Sequence, residues 1–204
     1  MDKKVKIAVG ISGASGAIYG VRLLESLAAN GVESHLVISP DAERTILIET
    51  KYTLTQLRSL ASKNYNYNDV GGAIASGSFL IDGMVIAPCS IKTLSAVANS
   101  FNENLLIRAA DVCLKEKRKL ILVVRETPLH LGHLRLLTNV AEMGATILPP
   151  LPAFYHLPKT IDDIVNQTVG KILDQFGVQH NLFERWTGDV ENGRLVKLPE
   201  MLTR

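Results

Sequence analysis

The chain alternates short apolar runs with longer segments whose apolar residues recur at helical spacing. The first run, Val5, Ile7, Ala8, Val9 and Ile11, is rich in β-branched residues and too short for a buried helix. It suits a parallel strand covered on both faces. Gly10, Gly13, Ser15 and Gly16 then remove bulk, and Ile18, Val21, Leu24, Leu27 and Ala28 repeat at helical spacing until Asn30-Gly31 stops them. Strand, glycine turn and helix open the chain in that order.

The same grammar recurs further on. Residues 34–39 predict a second strand, Pro40-Asp41 opens a helix, and a second helical pattern runs from Thr53 through Leu54, Leu57 and Leu60. NYNYND at 64–69 breaks the periodicity and predicts a surface loop. Residues 84–87 predict a strand that ends in Pro88-Cys89-Ser90, before a helix from Ile91 to about Phe101. A helix over about 104–117 and a strand over 120–124 follow, then Arg125-Glu126-Thr127-Pro128 and a helix bearing His130 and His133. A strand at 145–148 runs into the proline-bounded loop PPLPAFYHLP. Thr160 to Asp163 then caps a helix whose apolar stripe reaches Phe176. The repeated strand and helix units predict an α/β fold with a mostly parallel sheet. Beyond Val178 periodicity fades, and the only tryptophan, Trp186, suits either an arm laid over the body or a neighbouring subunit, or a fraying tail.

Composition narrows the function classes. The 204 residues are 47% hydrophobic and 21% charged, enough for one sizeable core. The net charge of +2 comes without a basic block, so neither a nucleic-acid surface nor an anionic membrane is expected. Apolar runs are too short to span a bilayer, and Met1-Asp2-Lys3-Lys4 lacks a signal-peptide core, which predicts a cytoplasmic protein. Cys89 and Cys113 stand alone and read as reduced structural thiols, with no metal site.

The candidate chemistry sits where strands end. A glycine turn at a helix start lets backbone N–H groups approach an anion, although a tight turn without a ligand fits the glycines too. Lys92 and Thr93 fall in the first turn of a helix, where the dipole disfavours a cation unless an anion sits there. Ser39 stands where a dinucleotide fold would place a ribose-binding acid, although Asp41 is close enough to blur that test. Arg108, Asp111 and Lys115 share one helix face, which an exposed salt-bridged stripe also explains. The adjacent Arg125 and Glu126 could clamp a phosphate and handle a proton, or be unrelated loop charges. Lys171 borders an apolar stripe and could merely snorkel. Tyr155 and Lys159 have the spacing of a nicotinamide-dependent reductase pair, but Pro158 lies between them and spoils the helix.

Five blocks in order, GISGASGAIYG, IASGSF, DGMVIAPCSIKTL, NLLIRAADVCLKEKRKLILVVRETPLH and LPAFYHLP, resemble the UbiX-type flavin prenyltransferases, formerly described as aromatic acid decarboxylases. The resemblance covers residues 5 to 176, and Ile91 stands where a methionine is expected. It implies a Rossmann-like, three-layer α/β/α flavoprotein, with a flavin-binding body over 1–176 and a C-terminal arm over 177–204. The implied reaction joins a dimethylallyl group from dimethylallyl phosphate to N5 and C6 of reduced FMN, without a metal. Its product, prenylated FMN, serves UbiD-type decarboxylases. Carried over by motif, Gly13, Ala14, Ser15, Ser39, Ser90, Ile91, Lys92, Thr93 and Arg125 would bind FMN. Tyr155 and Lys171 would hold the prenyl phosphate, with Lys115, Arg125 and Glu126 around it, Arg108 nearby and Trp186 closing the site. Glu126 would relay a proton to the departing phosphate, and Ser15 would take part in proton movement at flavin N5. The family also implies a homo-oligomer, a dodecamer, and a mean hydropathy of +0.16 is consistent with apolar surface buried between chains. An FMN-dependent decarboxylase of the peptidyl-cysteine type and a non-catalytic FMN carrier are the alternatives.

Overall fold

A computed structural model describes residues 4–188, 190–191 and 194–195. The chain divides into two compact units, Met1–Pro150 and Leu151–Arg204. The helix that ends at Phe176 falls in the second of these units. The proline-bounded loop is where the division falls.

Six parallel strands build the first unit: β1 Lys6–Ile11, β2 Glu33–Ile38, β3 Lys63–Tyr65, β4 Gly83–Cys89, β5 Lys119–Val124 and β6 Thr146–Ile147. Their spatial order is β3-β2-β1-β4-β5-β6. The chain leaves β1 toward β2 and β3, then restarts on the other side of β1 at β4. A crevice therefore opens beyond the carboxyl ends of β1 and β4, where open sheets of this kind take ligands.

Six helices pack on this sheet: α1 Ala17–Ala29, α2 Pro40–Glu49, α3 Leu54–Ser59, α4 Ile91–Ala98, α5 Leu105–Lys115 and α6 Leu131–Glu142. Ala8, Met84, Ile86, Leu120 and Leu122 share a core cluster with Leu94, Leu106, Ala109 and Val140, so α4, α5 and α6 cover one face. On the other, a Cβ at Gly20 of α1 would come 2.4 Å from the Ala87 carbonyl oxygen and 2.9 Å from Ile11, so α1 rides directly on β1 and β4. All seven residues of β4 are buried. Burying each large aliphatic there contributes roughly 1.5–3 kcal/mol, and Ile86→Ala would cost about 2–5 kcal/mol.

Several boundaries differ from the pattern. β3 runs into the stretch expected to be a loop, pairing Lys63–Tyr65 with residues 35–37 of β2. As a short, polar edge strand it has almost no alternation to read; its inward group is Tyr65, whose hydroxyl lies 2.9 Å from Nδ1 of buried His35. α4 stops at Ala98, and α5 stops at Lys115 because Lys117 has φ 54, a left-handed conformation a helix cannot continue through. His130 is the cap of α6, not a member of it, and its ring accepts from the Gly132 amide at 3.0 Å.

The second unit contains α7, Ile161–Phe176, which starts with a reciprocal Thr160 and Asp163 capping box and ends at Gly177 with φ 67. Its buried stripe includes Val165, Val169, Ile172 and Leu173. A short hairpin pairs β7 Val190–Glu191 with β8 Arg194–Leu195. The rest of the expected arm, residues 189, 192–193 and 196–204, lies outside the described residues. Among those described, no helix is long and apolar enough to cross a membrane.

Candidate active site

The crevice is built from the ends of β1, β2 and β4. Ser12, 1% exposed, braces the first and last of these: its Oγ donates to the Pro88 carbonyl at 2.9 Å and accepts from the Ser90 amide at 2.8 Å. Ser90 in turn caps α4, its Oγ accepting from the Thr93 amide at 3.2 Å and donating to Thr93 Oγ1 at 3.1 Å. Ser39 caps α2 in the same manner, accepting from the Ala42 amide at 3.1 Å. Both capped starts open on one cavity of about 370 Å³, whose wall includes Gly13, Ser39, Asp41, Ser90, Lys92 and Thr93. The backbone must run close here, since a Cβ at Gly13 would lie 2.3 Å from the Asp41 Cβ.

The conflict that Lys92 posed in the sequence is met only loosely within the chain. Its ammonium lies 4.0 Å from the Asp41 carboxylate, and both side chains are mostly exposed, so the pair contributes little. The Ile91 and Lys92 amides have no acceptor among the described residues, leaving donors and a cation at a positive helix end.

The glycine turn at α1 differs from expectation. Gly16, with φ 101, provides no side-chain cap; Glu49 at the end of α2 fills the place instead. Its Oε2 accepts from the Gly16 amide at 2.7 Å and the Ala17 amide at 3.0 Å. Burial opposes the charge on Glu49, but the Ser15 hydroxyl, these two amides and the Arg125 guanidinium outweigh it and hold the carboxyl below its usual range. The anion at this helix start is thus the chain's own carboxylate, and Ser15, Glu49 and Arg125 form one electrostatic group. Burial raises the Tyr19 phenol and Arg125 works against that rise, which places Tyr19 beside them.

Arg125 and Glu126 follow β5 at the same carboxyl edge. The Arg125 amide donates to the Cys89 carbonyl at 3.0 Å, tying the loop to β4, and both side chains are exposed. A Glu126 oxygen accepts from the next amide, Thr127, at 3.0 Å. Ile91 is half-buried against the core cluster, and Ala14 is buried beside exposed Ser15.

The α5 stripe separates. Arg108, in the first turn, donates to Asp111 at 3.0 Å, and Asn102 donates to the same oxygen at 3.0 Å. Lys115 pairs with Glu116 and sits at the far end of the helix, about 16 Å along the axis from its start at a rise of 1.5 Å per residue. Within one chain, Lys115 therefore belongs to the amino edge of the sheet and does not join Ser90 and Arg125. In the second unit, Tyr155 meets Trp186 edge to face with ring centroids 5.9 Å apart, and the Lys171 ammonium lies 3.6 Å from Asp174.

Three contributors escaped the sequence. Glu49 lies 33 residues from Gly16, in a stretch with no motif. Asp41 was legible only as a neighbour of Ser39. Ser12 had a readable signal, a small polar residue directly after a buried strand and before the glycines.

With this geometry in hand, comparison with known proteins is informative. The flavoprotein family profile matches residues 1–173. A flavin prenyltransferase UbiX of Thauera aromatica is 66% identical over 187 residues, 92% of this chain and 96% of its own. Among solved structures, a UbiX protein (AnUbiX, PadA1) in complex with FMN and dimethylallyl pyrophosphate superposes with TM-score 0.90 at 46% identity, covering 92% of this chain and all of that one. A dodecameric FMN-dependent UbiX-like decarboxylase from Escherichia coli O157:H7 gives TM-score 0.88 at 46% identity, with 90% and 100% covered. The chain belongs to the flavoprotein family and, within it, to the UbiX-type flavin prenyltransferases.

Proposed function

We propose that this protein joins a dimethylallyl group to N5 and C6 of reduced FMN and releases prenylated FMN for a UbiD-type decarboxylase. The observation that carries the reading is the open anion-binding helix start at α4, on the cavity lined by Gly13, Ser39, Ser90, Lys92 and Thr93, beside an α1 start that Glu49 already caps and Ser12 ties to it. The first suits a terminal phosphate monoester: two serine-capped helix starts, Thr93, the Lys92 ammonium and two unclaimed amides. Gly13 lines the same cavity, and the family resemblance assigns Ala14 and Ile91 to FMN as well. The site thus fits FMN through its phosphate donors; the acid that follows β2 in this wall is Asp41, which lies 4.0 Å from the Lys92 ammonium.

Reduced FMN supplies the nucleophilic ring positions and a π surface. Ser15, backed by Glu49, can take the proton that leaves N5. Loss of an allylic phosphate leaves a delocalised cation and a phosphate dianion, so hydroxyl and cationic groups are needed at the phosphate end. Tyr155, Lys171 and Arg125 supply them, and the proton lost from N5 is balanced by the one that Glu126 relays to the departing phosphate. Arg108, fixed by Asp111, adds positive charge nearby, and Trp186 closes the site. Lys115, held at the amino edge of its own sheet, would act in the site of a neighbouring subunit. A homododecamer provides such neighbours, as in the dodecameric UbiX-like protein, and cytoplasmic assembly suits a product passed to another soluble enzyme.

Incubation with chemically reduced FMN and dimethylallyl phosphate, read by product mass, tests the reading. Flavin heavier by one dimethylallyl group is expected. A parallel reaction with the pyrophosphate decides the donor. Protein that binds NAD(P) stoichiometrically with no affinity for FMN, or binds FMN and leaves it unchanged, overturns it.

A further inference from the structure

Asp174, on the last turns of α7, is a carboxylate shared by three basic side chains. Arg185 grips it with both arms of its guanidinium, Nη1 to Oδ2 at 3.0 Å and Nη2 to Oδ1 at 2.6 Å. His180 Nε2 lies 3.1 Å from Oδ1, and the Lys171 ammonium lies 3.6 Å from Oδ2. The segment that delivers these partners is seated on the helix. A Cβ at Gly170 would come 2.5 Å from Phe183 and 2.6 Å from His180, so only glycine admits them so close, and the His180 side chain is 2% exposed. The Arg185 guanidinium also lies 5.4 Å from the centre of the Phe183 ring. Next to Arg185 is Trp186, whose ring edge meets Tyr155.

We infer that Asp174 is a positioning residue for the prenyl phosphate: it fastens the 180–186 segment to α7 through Arg185 and His180, and holds Lys171 poised beside it. The inference rests on the assignment of Tyr155 and Lys171 to that phosphate under the proposed function. Its logic is one of valence. A bidentate guanidinium takes both oxygens of the carboxylate in geometry that ammonium cannot match. Lys171, at 3.6 Å, is steered by the negative charge without being consumed, so its protons remain available to an incoming phosphate. Through the same grip, Trp186 stays against Tyr155, ordering the aromatic edge of the donor site before the donor arrives. Arg185 keeps Asp174 ionised, holding its carboxyl below the usual range despite burial.

The test uses full-length protein loaded with FMN. Asp174→Asn and Arg185→Gln should each raise KM for dimethylallyl phosphate about tenfold or more, while FMN affinity and kcat at saturating donor stay within about threefold. Asp174→Glu should restore part of the loss. Because Trp186 is the only tryptophan, acrylamide quenching of the flavin-free protein reports its shielding directly, and both variants should quench more readily than wild type. Arg185 is half exposed, so Arg185→Gln remains informative even where Asp174→Asn folds poorly. Wild-type KM and wild-type quenching in Arg185→Gln would sink the inference, as would an equal loss of FMN affinity, which marks general damage. Wild-type protein that forms no prenylated flavin overturns the functional reading instead, a result the turnover assay gives and the quenching assay leaves untouched.

Discussion

The starts of α1 and α4 are a controlled pair. Both follow central strands, β1 and β4, both lie at the carboxyl edge, and Ser12 ties one to the other. The α1 start has the glycines and looks like an anion cradle, yet its Gly16 and Ala17 amides are taken by Glu49. The α4 start has proline, serine and lysine in place of glycines, and among the described residues its first two amides have no acceptor. A helix end attracts negative charge by roughly 0.3–1 kcal/mol whatever its source, so the field is equally available to a ligand or to a side chain of the same protein. What separates the two ends is whether a carboxylate from elsewhere in the fold arrives first. At α1 one does, and on the proposed reading the position serves proton chemistry; at α4, among the described residues, none caps the first amides.

The sharpest way to break this contrast is Glu49→Gln. If α1 serves proton transfer, the variant should lose turnover by ~100-fold or more with FMN affinity within about twofold of wild type. If instead FMN phosphate lies at α1, removing the competing charge should tighten flavin binding, which a titration would show. Comparable in size is Glu126→Gln, expected to retain FMN and donor but lose ~100-fold in single-turnover rate, because glutamine cannot carry the proton. Arg125→Ala separates charge from proton transfer: it should weaken FMN and donor together, each by about tenfold. A wild-type rate for Glu126→Gln under chemistry-limited conditions would leave it as a mere loop charge.

At the α4 start, Lys92→Ala should raise the FMN dissociation constant by about tenfold, with a steeper effect at low salt, since the lysine acts as a point charge on phosphate. Unchanged affinity across a salt series would move the phosphate elsewhere. The smallest effect is on stability. The Glu49 carboxyl titrates below its unfolded value of 4.5 in the folded protein, so its bonds to α1 are fully stabilising above about pH 4.5 and are lost as pH falls through the lower folded value. Since Glu49 is exposed, the difference in Tm between wild type and Glu49→Gln should amount to only about 1–2 °C at pH 7 and shrink as pH falls below 4.5.

The sequence discloses this fold well where burial is two-sided, because Ile7 to Ile11, Met84 to Ala87 and Leu120 to Val124 are apolar without interruption. It is silent where a strand is short and exposed, as Lys63–Tyr65 is. The serine caps at Ser39 and Ser90 are also legible, since capping is local chemistry within three residues. Glu49 is not, because its role depends on how α2 lies against α1, a tertiary fact. Lys115 shows the same limit in another form. Helical spacing grouped it with Arg108 on one face, but seven residues separate the two by about 10 Å along the axis, and only the packing of α5 beside the sheet shows which edge that far end reaches.

Cys89 ends β4 one residue before the Ser90 cap, with its side chain fully buried. Burial pushes its thiol well above the usual range, and pushes Cys113 up to about 12. Reduced flavin that leaks electrons to oxygen yields hydrogen peroxide at its own doorstep, and peroxide oxidises thiolates far faster than thiols. A sulfur beside such a cofactor would ordinarily be the first casualty of each misfire. Here both sulfurs are held protonated and sealed within the core, so a protein that handles reduced flavin can endure repeated futile oxidation without recording it as covalent damage at cysteine.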